Sequence, residues 1–226
     1  VSEAGTAIFD VNETTLELAP VRVVIDDLVP TEGGARAWFA RLLQLSMTVT
    51  ATGGSADFST LARHALQAVA ATGGPERATA IDDGAWERVA AAMASLRGHP
   101  DVAPALDRLR SAGWTLVALT NTSRPAVTAQ LTGAGLAARF DHILSVDAVG
   151  RFKPSAEPYR HACETVGIAP SAAWMVAAHD WDLAGARAVG LATAFVNRPG
   201  QSMAPTFPPP DLIVADFAEL ADRLLT

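Results

Sequence analysis

Apolar residues along this chain fall into short runs that end on polar residues, and between the runs they recur at helical spacing. Ala4–Asp10 reads as a first buried strand, with Ala7-Ile8-Phe9 running into Asp10. Trp114–Leu119, His142–Val146, Trp174–Ala178, Leu191–Val196 and Leu212–Val214 read as further strands. Helices are predicted over Val102–Ala112, Arg124–Ala134, Ser155–Val166, Leu183–Val189 and Phe217–Leu225. Near-continuous apolar strands alternating with helices predict βαβ units, hence an α/β fold whose parallel sheet is covered on both faces. Ligands of such sheets bind at the carboxyl ends of the strands. Asp10, Thr120, Asn121, His179, Asp180, Asp182 and Asn197 lie at or just past those ends.

From about Thr15 to Gly98 the alternation breaks. Helical patterns at Gly34–Thr50, Phe58–Ala71 and Ala85–Leu96 are separated by the breakers Gly53-Gly54 and Gly73-Gly74-Pro75. We read a helical insert between the first strand and the first core helix. Residues 15–98 then form a cap, and residues 1–14 with 99–226 form the core domain. An insert so placed can close over the strand ends and exclude water.

Composition narrows the class. The 226 residues suffice for one large domain or a domain plus an insert, and 50% apolar with 18% charged residues excludes disorder. A net charge of −7 argues against a nucleic-acid or anionic-membrane surface. The longest apolar runs are too short to cross a bilayer, and no basic segment followed by an apolar stretch opens the chain. The single cysteine, Cys163, excludes an intrachain disulfide and suits a reducing compartment, so a soluble cytoplasmic protein is expected. The chain has one lysine, Lys153, against 16 arginines. Such a position either requires a compact ammonium that a planar guanidinium cannot replace or keeps a surface lysine by chance.

Four ordered motifs carry a resemblance: IFDVNET at Ile8–Thr14, ALTNTS at Ala118–Ser123, RFKPSAEPYR at Arg151–Arg160 and VAAHDWDLAGA at Val176–Ala186. Together they resemble the haloacid dehalogenase superfamily over essentially the whole chain, and within it the 2-haloacid dehalogenases. The resemblance implies a Rossmann-like core with a helical cap. It also implies hydrolysis of short 2-haloalkanoic acids to 2-hydroxy acids without a metal or other cofactor. Asp10 would attack the carbon bearing the halogen and form an ester, which water then opens at the carbonyl. Lys153 would hold Asp10 charged, Asp182 would orient Lys153 or help activate water, and Thr14 would position Asp10. Thr120 and Asn121 would donate to the substrate carboxylate. Arg41, on the helical stretch WFARLLQLSM, would bind substrate and receive the halide, against the alternative of a solvated helix-face arginine. Asn12, His179, Trp181, Tyr159, Leu45 and Phe58 complete the expected substrate-binding set. For Trp38, Leu45, Phe58 and Trp181, core packing is the alternative role, as it is for Tyr159.

Several positions depart from the family pattern. Phosphatases of the superfamily carry an acid where this chain has Asn12, and an acidic Mg²⁺ ligand where it has Ala177. Halide leaves without a proton, so Asn12 does not impede dehalogenation, and loss of a carboxylate weakens a hard-cation site. Asp180 could replace that ligand. The rival readings are therefore a Mg²⁺-dependent phosphatase and a non-catalytic carboxylate-binding scaffold. His179 stands where many dehalogenases have asparagine, either as a donor to halide or water or as a loop histidine bonded to backbone. Glu13, beside Asp10, is set aside as its acid/base partner because neighbouring residues leaving a strand point to opposite sides. The expected partners are a 2-haloacid and halide. A homodimer is expected from related enzymes, with Leu42, Leu43, Leu45 and Met47 serving equally as an interface or as the cap's own core.

Overall fold

In the computed structural model, residues 4–29, 31–74 and 81–226 are described. Six parallel strands form one sheet in the order β5-β4-β1-β6-β7-β8. They are β1 (Thr6–Asp10), β4 (Thr115–Thr120), β5 (His142–Ser145), β6 (Ala173–Ala177), β7 (Ala192–Val196) and β8 (Leu212–Val214). Each strand read from the sequence is present, with ends shifted by no more than two residues. The order places β1 between β4 and β6, where successive crossovers turn in opposite directions. That is the topological switch point, where open α/β sheets bind ligands.

Both faces of β1 are covered, which is why its pattern is continuous rather than alternating. Ile8 joins a core with Val117, Leu119, Met175, Tyr159, Cys163, Leu183 and Ala186. These bring α7 (Ala156–Val166) and α8 (Asp180–Val189) against one face. Phe9 points the other way and stacks on Phe217 of α9 (Phe217–Leu224), with ring centroids 5.5 Å apart. The remaining core helices are α5 (Val102–Ser111) and α6 (Arg124–Gly133).

Near the strand ends, two features differ from the sequence reading. Helix α8 begins at Asp180 rather than Leu183, so the acidic DWD segment is a first helical turn and not a loop. Carboxylates are favoured there by the unpaired N–H groups and the positive end of the helix dipole. A short antiparallel pair, β2 (Leu16–Glu17) with β3 (Arg97–Gly98), joins the chain where it leaves the core to where it returns.

The chain divides into two compact units: one runs through Glu17 and resumes from Arg97 to Thr226, the other is Leu18–Leu96. The β2–β3 pair keeps residues 15–17 and 97–98 with the first unit. The second unit contains α1 (Ala19–Leu28), α2 (Gly34–Ala51), α3 (Phe58–Ala71) and α4 (Asp83–Ala94). Asp57 and Asp82 cap α3 and α4 by accepting the backbone N–H of Thr60 and Ala85. Trp38 and Leu42 of α2 are buried in this unit, and the Trp38 indole donates to the Ala62 carbonyl of α3. Leu43, Leu45 and Met47 are half-buried. Pro75 of the Gly73-Gly74-Pro75 breaker lies outside the described residues.

Candidate active site

Strand β1 delivers Asp10 to the carboxyl end of the sheet. Side chains alternate along a strand, so Asp10 shares the Ile8 face, against which α7 and α8 pack. Lys153, just before α7, places Nζ 2.8 Å from Asp10 Oδ1. The same ammonium donates to the Leu119 carbonyl at 3.2 Å and to Asp182 Oδ2 at 2.6 Å. Its three protons thus match three acceptors. The Lys153 backbone N–H donates to Asn121 Oδ1 at 2.9 Å, which fixes the root of the side chain. Asp182 accepts on its other oxygen from the Tyr159 hydroxyl at 2.6 Å.

The second oxygen of Asp10 is held differently. Thr14 Oγ1 donates to Asp10 Oδ2 at 2.7 Å and accepts from the Ala178 N–H at 2.9 Å, tying β1 to the end of β6. His179 Nδ1 lies 3.1 Å from that same Oδ2, and its Nε2 lies 2.9 Å from Glu13 Oε2. Gln201 Nε2 donates to the same Glu13 oxygen at 3.0 Å. The Trp181 ring stacks on His179 at 5.4 Å and lies 5.9 Å from Lys153 Nζ, within reach of a cation–π attraction. The five groups Asp182, Lys153, Asp10, His179 and Glu13 therefore form a continuous buried row of alternating acids and bases.

The electrostatics follow from that row. Burial opposes ionisation of Asp10, but the Lys153 charge and the His179 hydrogen bond and charge outweigh it and hold the carboxyl well below the usual carboxylate range. Burial likewise opposes protonation of Lys153, and the charges of Asp10 and Asp182 overcome this and raise it. His179 is pushed up to about 9, since its bonds to Asp10 and Glu13 exceed the effect of burial. Asp182 is raised, by burial first and with Asp10 adding to it, against the opposing charge of Lys153.

The loop after β1 makes the row possible. Glu13 adopts a left-handed backbone, φ 63°, which turns the chain back toward the strand end. Thr15 Oγ1 donates to the Asp10 carbonyl at 2.7 Å. Arg198, past β7, donates from Nε and Nη2 to the Thr14 carbonyl and pairs through Nη1 with Asp101 at 3.0 Å. The His99 ring lies 3.1 Å from the Glu13 carbonyl.

The structure brings Asp10, Thr14, Lys153, Asp182, Tyr159, Asn121, His179 and Trp181 together at the carboxyl end of the sheet. Glu13 is a correction: one imidazole bridges it to Asp10, because the left-handed turn overrides the alternation that had excluded it. Thr120 accepts from the Thr122 N–H at 3.1 Å, and Asn12 donates to the Thr122 hydroxyl at 3.2 Å. The Asn12 Oδ1 atom is buried without a hydrogen-bond partner. Arg41, Leu45 and Phe58 belong to the second unit, where Arg41 donates to Gln44 at 2.7 Å and Phe58 is buried. Gln201 escaped sequence reasoning, since nothing local distinguishes it. Arg198 braces the loop after β1 through the Thr14 carbonyl and Asp101.

Residues 5–190 match the model of the haloacid dehalogenase-like hydrolases. The chain is 30% identical over 222 residues to (S)-2-haloacid dehalogenase 4A of Burkholderia cepacia, covering 97% of this chain and 94% of that one. Identity is also 30% over 188 residues to (S)-2-haloacid dehalogenase 1 of Pseudomonas sp. (strain CBS-3), covering 83% and 81%. The fold is similar to the crystal structure of a dehalogenase with intermediate complex, with a TM-score of 0.88, 29% identity, and 100% and 99% of the two chains covered.

Proposed function

Because this chain belongs to the haloacid dehalogenase-like hydrolase family, we propose that it hydrolyses short (S)-2-haloalkanoic acids to 2-hydroxy acids through an ester on Asp10. The observation that carries this reading is Asp10 itself. It is a buried carboxylate kept ionised by Lys153 at 2.8 Å, in a site that offers Asn12 where a leaving alkoxide would need an acid.

The chemistry follows from these residues. An ionised carboxylate oxygen attacks the carbon bearing the halogen, and the halide departs with the bonding electrons. Configuration at that carbon inverts. Lys153 then donates to the oxygen on which negative charge builds when water adds to the ester carbonyl. Asp182 and the Leu119 carbonyl keep its ammonium aimed, and Tyr159 keeps Asp182 aimed. Thr14 fixes the carboxylate plane. Thr120, Asn12 and Asn121 contribute the polar rim for the substrate carboxylate, and Trp181 an apolar wall.

The residues here do not fit the Mg²⁺ site of the phosphatase alternative. Asn12 and Ala177 replace its acidic groups, and Asp180 already accepts the Trp181 N–H at 2.7 Å and the Ala204 N–H at 3.0 Å. The deciding experiment measures halide release, in EDTA, from both enantiomers of 2-chloropropionate and 2-bromopropionate. Release from the S enantiomer alone is expected, together with an intact-mass adduct on Asp10 under enzyme excess. Folded protein that releases no halide and forms no adduct overturns the reading.

A further inference from the structure

Opening an aspartyl ester requires a base beside Asp10, and few groups qualify. Lys153 is cationic with all three protons committed. Asp182 has one oxygen on Lys153 and the other on Tyr159, and the lysine stands between it and Asp10. Thr14 is engaged as donor to Asp10 and as acceptor from Ala178. Among the described residues bonded to the Asp10 carboxylate, His179 is then the group able to exchange a proton there.

We propose that His179, positioned by Glu13, changes role within one catalytic cycle. It donates to Asp10 as an imidazolium in the free protein, sheds its Nδ1 proton to solvent when Asp10 is alkylated, and then uses Nδ1 to deprotonate the hydrolytic water. This rests on the covalent reading above. The geometry suits it, because Nδ1 faces Asp10 at 3.1 Å while Nε2 is anchored 2.9 Å from Glu13. That anchor fixes the tautomer whose Nδ1 lone pair faces the ester.

Charge supplies the switch. Hydrogen bonds and charges from Asp10 and Glu13 overcome burial and lift His179 to about 9 in the free protein. Alkylation converts Asp10 from an anion to a neutral ester and removes the Asp10 contribution to that support. Lys153 then lies close with one carboxylate partner fewer, which further disfavours a second cation. The other groups around His179 keep their partners throughout. Glu13 holds Gln201 and the His99 ring, Arg198 pairs with Asp101 on the Thr14 side, and Asp180 on its own helix accepts two backbone N–H groups.

The protons balance. In the first step the O–C bond forms, the C–halogen bond breaks, halide takes the electron pair, and the Nδ1 proton goes to solvent. In the second, water oxygen adds to Asp10 Cγ while Nδ1 takes a proton. Collapse breaks the acyl C–O bond, and the departing 2-hydroxy acid oxygen takes the Nδ1 proton. The new Asp10 carboxyl then returns its proton to Nδ1. One halide and one proton leave per substrate, and the proton leaves with the halide rather than with the product.

The test is a single turnover of (S)-2-bromopropionate with enzyme in excess, in weak buffer with a pH indicator, quenched in parallel for ester by intact mass. At pH 7.5 proton release in the wild type should coincide with halide release, and above the His179 pKa of about 9 it should shift to ester decay. In His179→Asn the ester should accumulate, decay about 100-fold more slowly, and release its proton only on decay. Glu13→Gln should also accumulate ester, and its early proton should vanish at a lower pH than in the wild type, a shift that lost packing alone would not produce. Proton release that tracks ester decay in the wild type at pH 7.5 overturns the proposal, as does ester decay at the wild-type rate in His179→Asn. If His179→Asn does not fold, Glu13→Gln carries the same decision. Absence of any ester overturns this proposal and the covalent reading together.

Discussion

Lys153 has no spare proton, and that sets how it responds to substitution. Arginine keeps the charge, but its planar fork cannot address Asp10, Asp182 and the Leu119 carbonyl from one point. Lys153→Arg should therefore lower halide release by about 100-fold or more while the fold survives, as circular dichroism would show. Lys153→Met leaves two buried carboxyls without their cation and should cost about 3–5 kcal/mol in urea unfolding. His179 gives a pH prediction of the opposite kind to Asp10. Its pKa is raised in the folded state, so its stabilising contribution is complete below the unfolded value of about 6.5 and is lost as pH rises through about 9. Asp10 is depressed, so its contribution holds above about pH 4 and is lost on acidification below that. The melting temperature of the wild type should fall between pH 7 and pH 10 more steeply than that of His179→Asn. At this scale the sequence was informative where a residue type was scarce: a lone lysine, set between Phe152 and Pro154, announces itself. Glu13 was illegible because its place depends on one backbone dihedral, φ 63°, and on His179 arriving from 166 residues away.

At the scale of elements, the strands were readable because burial on both faces leaves an unbroken apolar run. Helix α1, Ala19–Leu28, was not. Its APVRVVIDDL sequence opens on a proline and clusters β-branched residues, which favour extended backbone, and only Val21 and Ile25 are buried. Packing in the second unit overrides that local preference. The start of α8 was missed for a related reason, since DWD reads as a loop until its carboxylates are seen at the end of a helix. The same helix holds a sharper constraint. A methyl group at Gly185 would lie 2.5 Å from the Pro154 carbonyl and 2.8 Å from the Tyr159 hydroxyl. Gly185→Ala must therefore push α8 away from the Lys153–Pro154 segment and from the hydroxyl that orients Asp182. We expect a loss of about 1–3 kcal/mol in thermal or urea unfolding. Halide release should fall further than the residual folded fraction explains.

Over the whole molecule, Cys163 offers a built-in reporter. It is 1% exposed within the core shared by α7, α8 and the sheet, and burial pushes its thiol up. The native protein should leave a thiol reagent such as DTNB unconsumed on the time scale in which urea-unfolded protein consumes one equivalent. Reaction at the unfolded rate without denaturant would show that this core opens readily. Two compact units were legible as an interruption in the βα rhythm; their boundaries at Glu17 and Arg97 were not, because a two-residue strand pair has no pattern to read. The central position of β1 has a further consequence, for the time course of assembly. Asp10 ends a strand whose neighbours in the sheet lie about one hundred residues later in β4 and later still in β6. Its lysine, histidine and second aspartate follow at 153, 179 and 182. Local helices can form while the chain is being made, but the aspartate has no countercharge until distant segments find it, and such non-local pairing is slow. Assembly of the Asp10 cluster thus waits on distant segments, and halide release regained during refolding should appear with the last sheet closure rather than the first collapse.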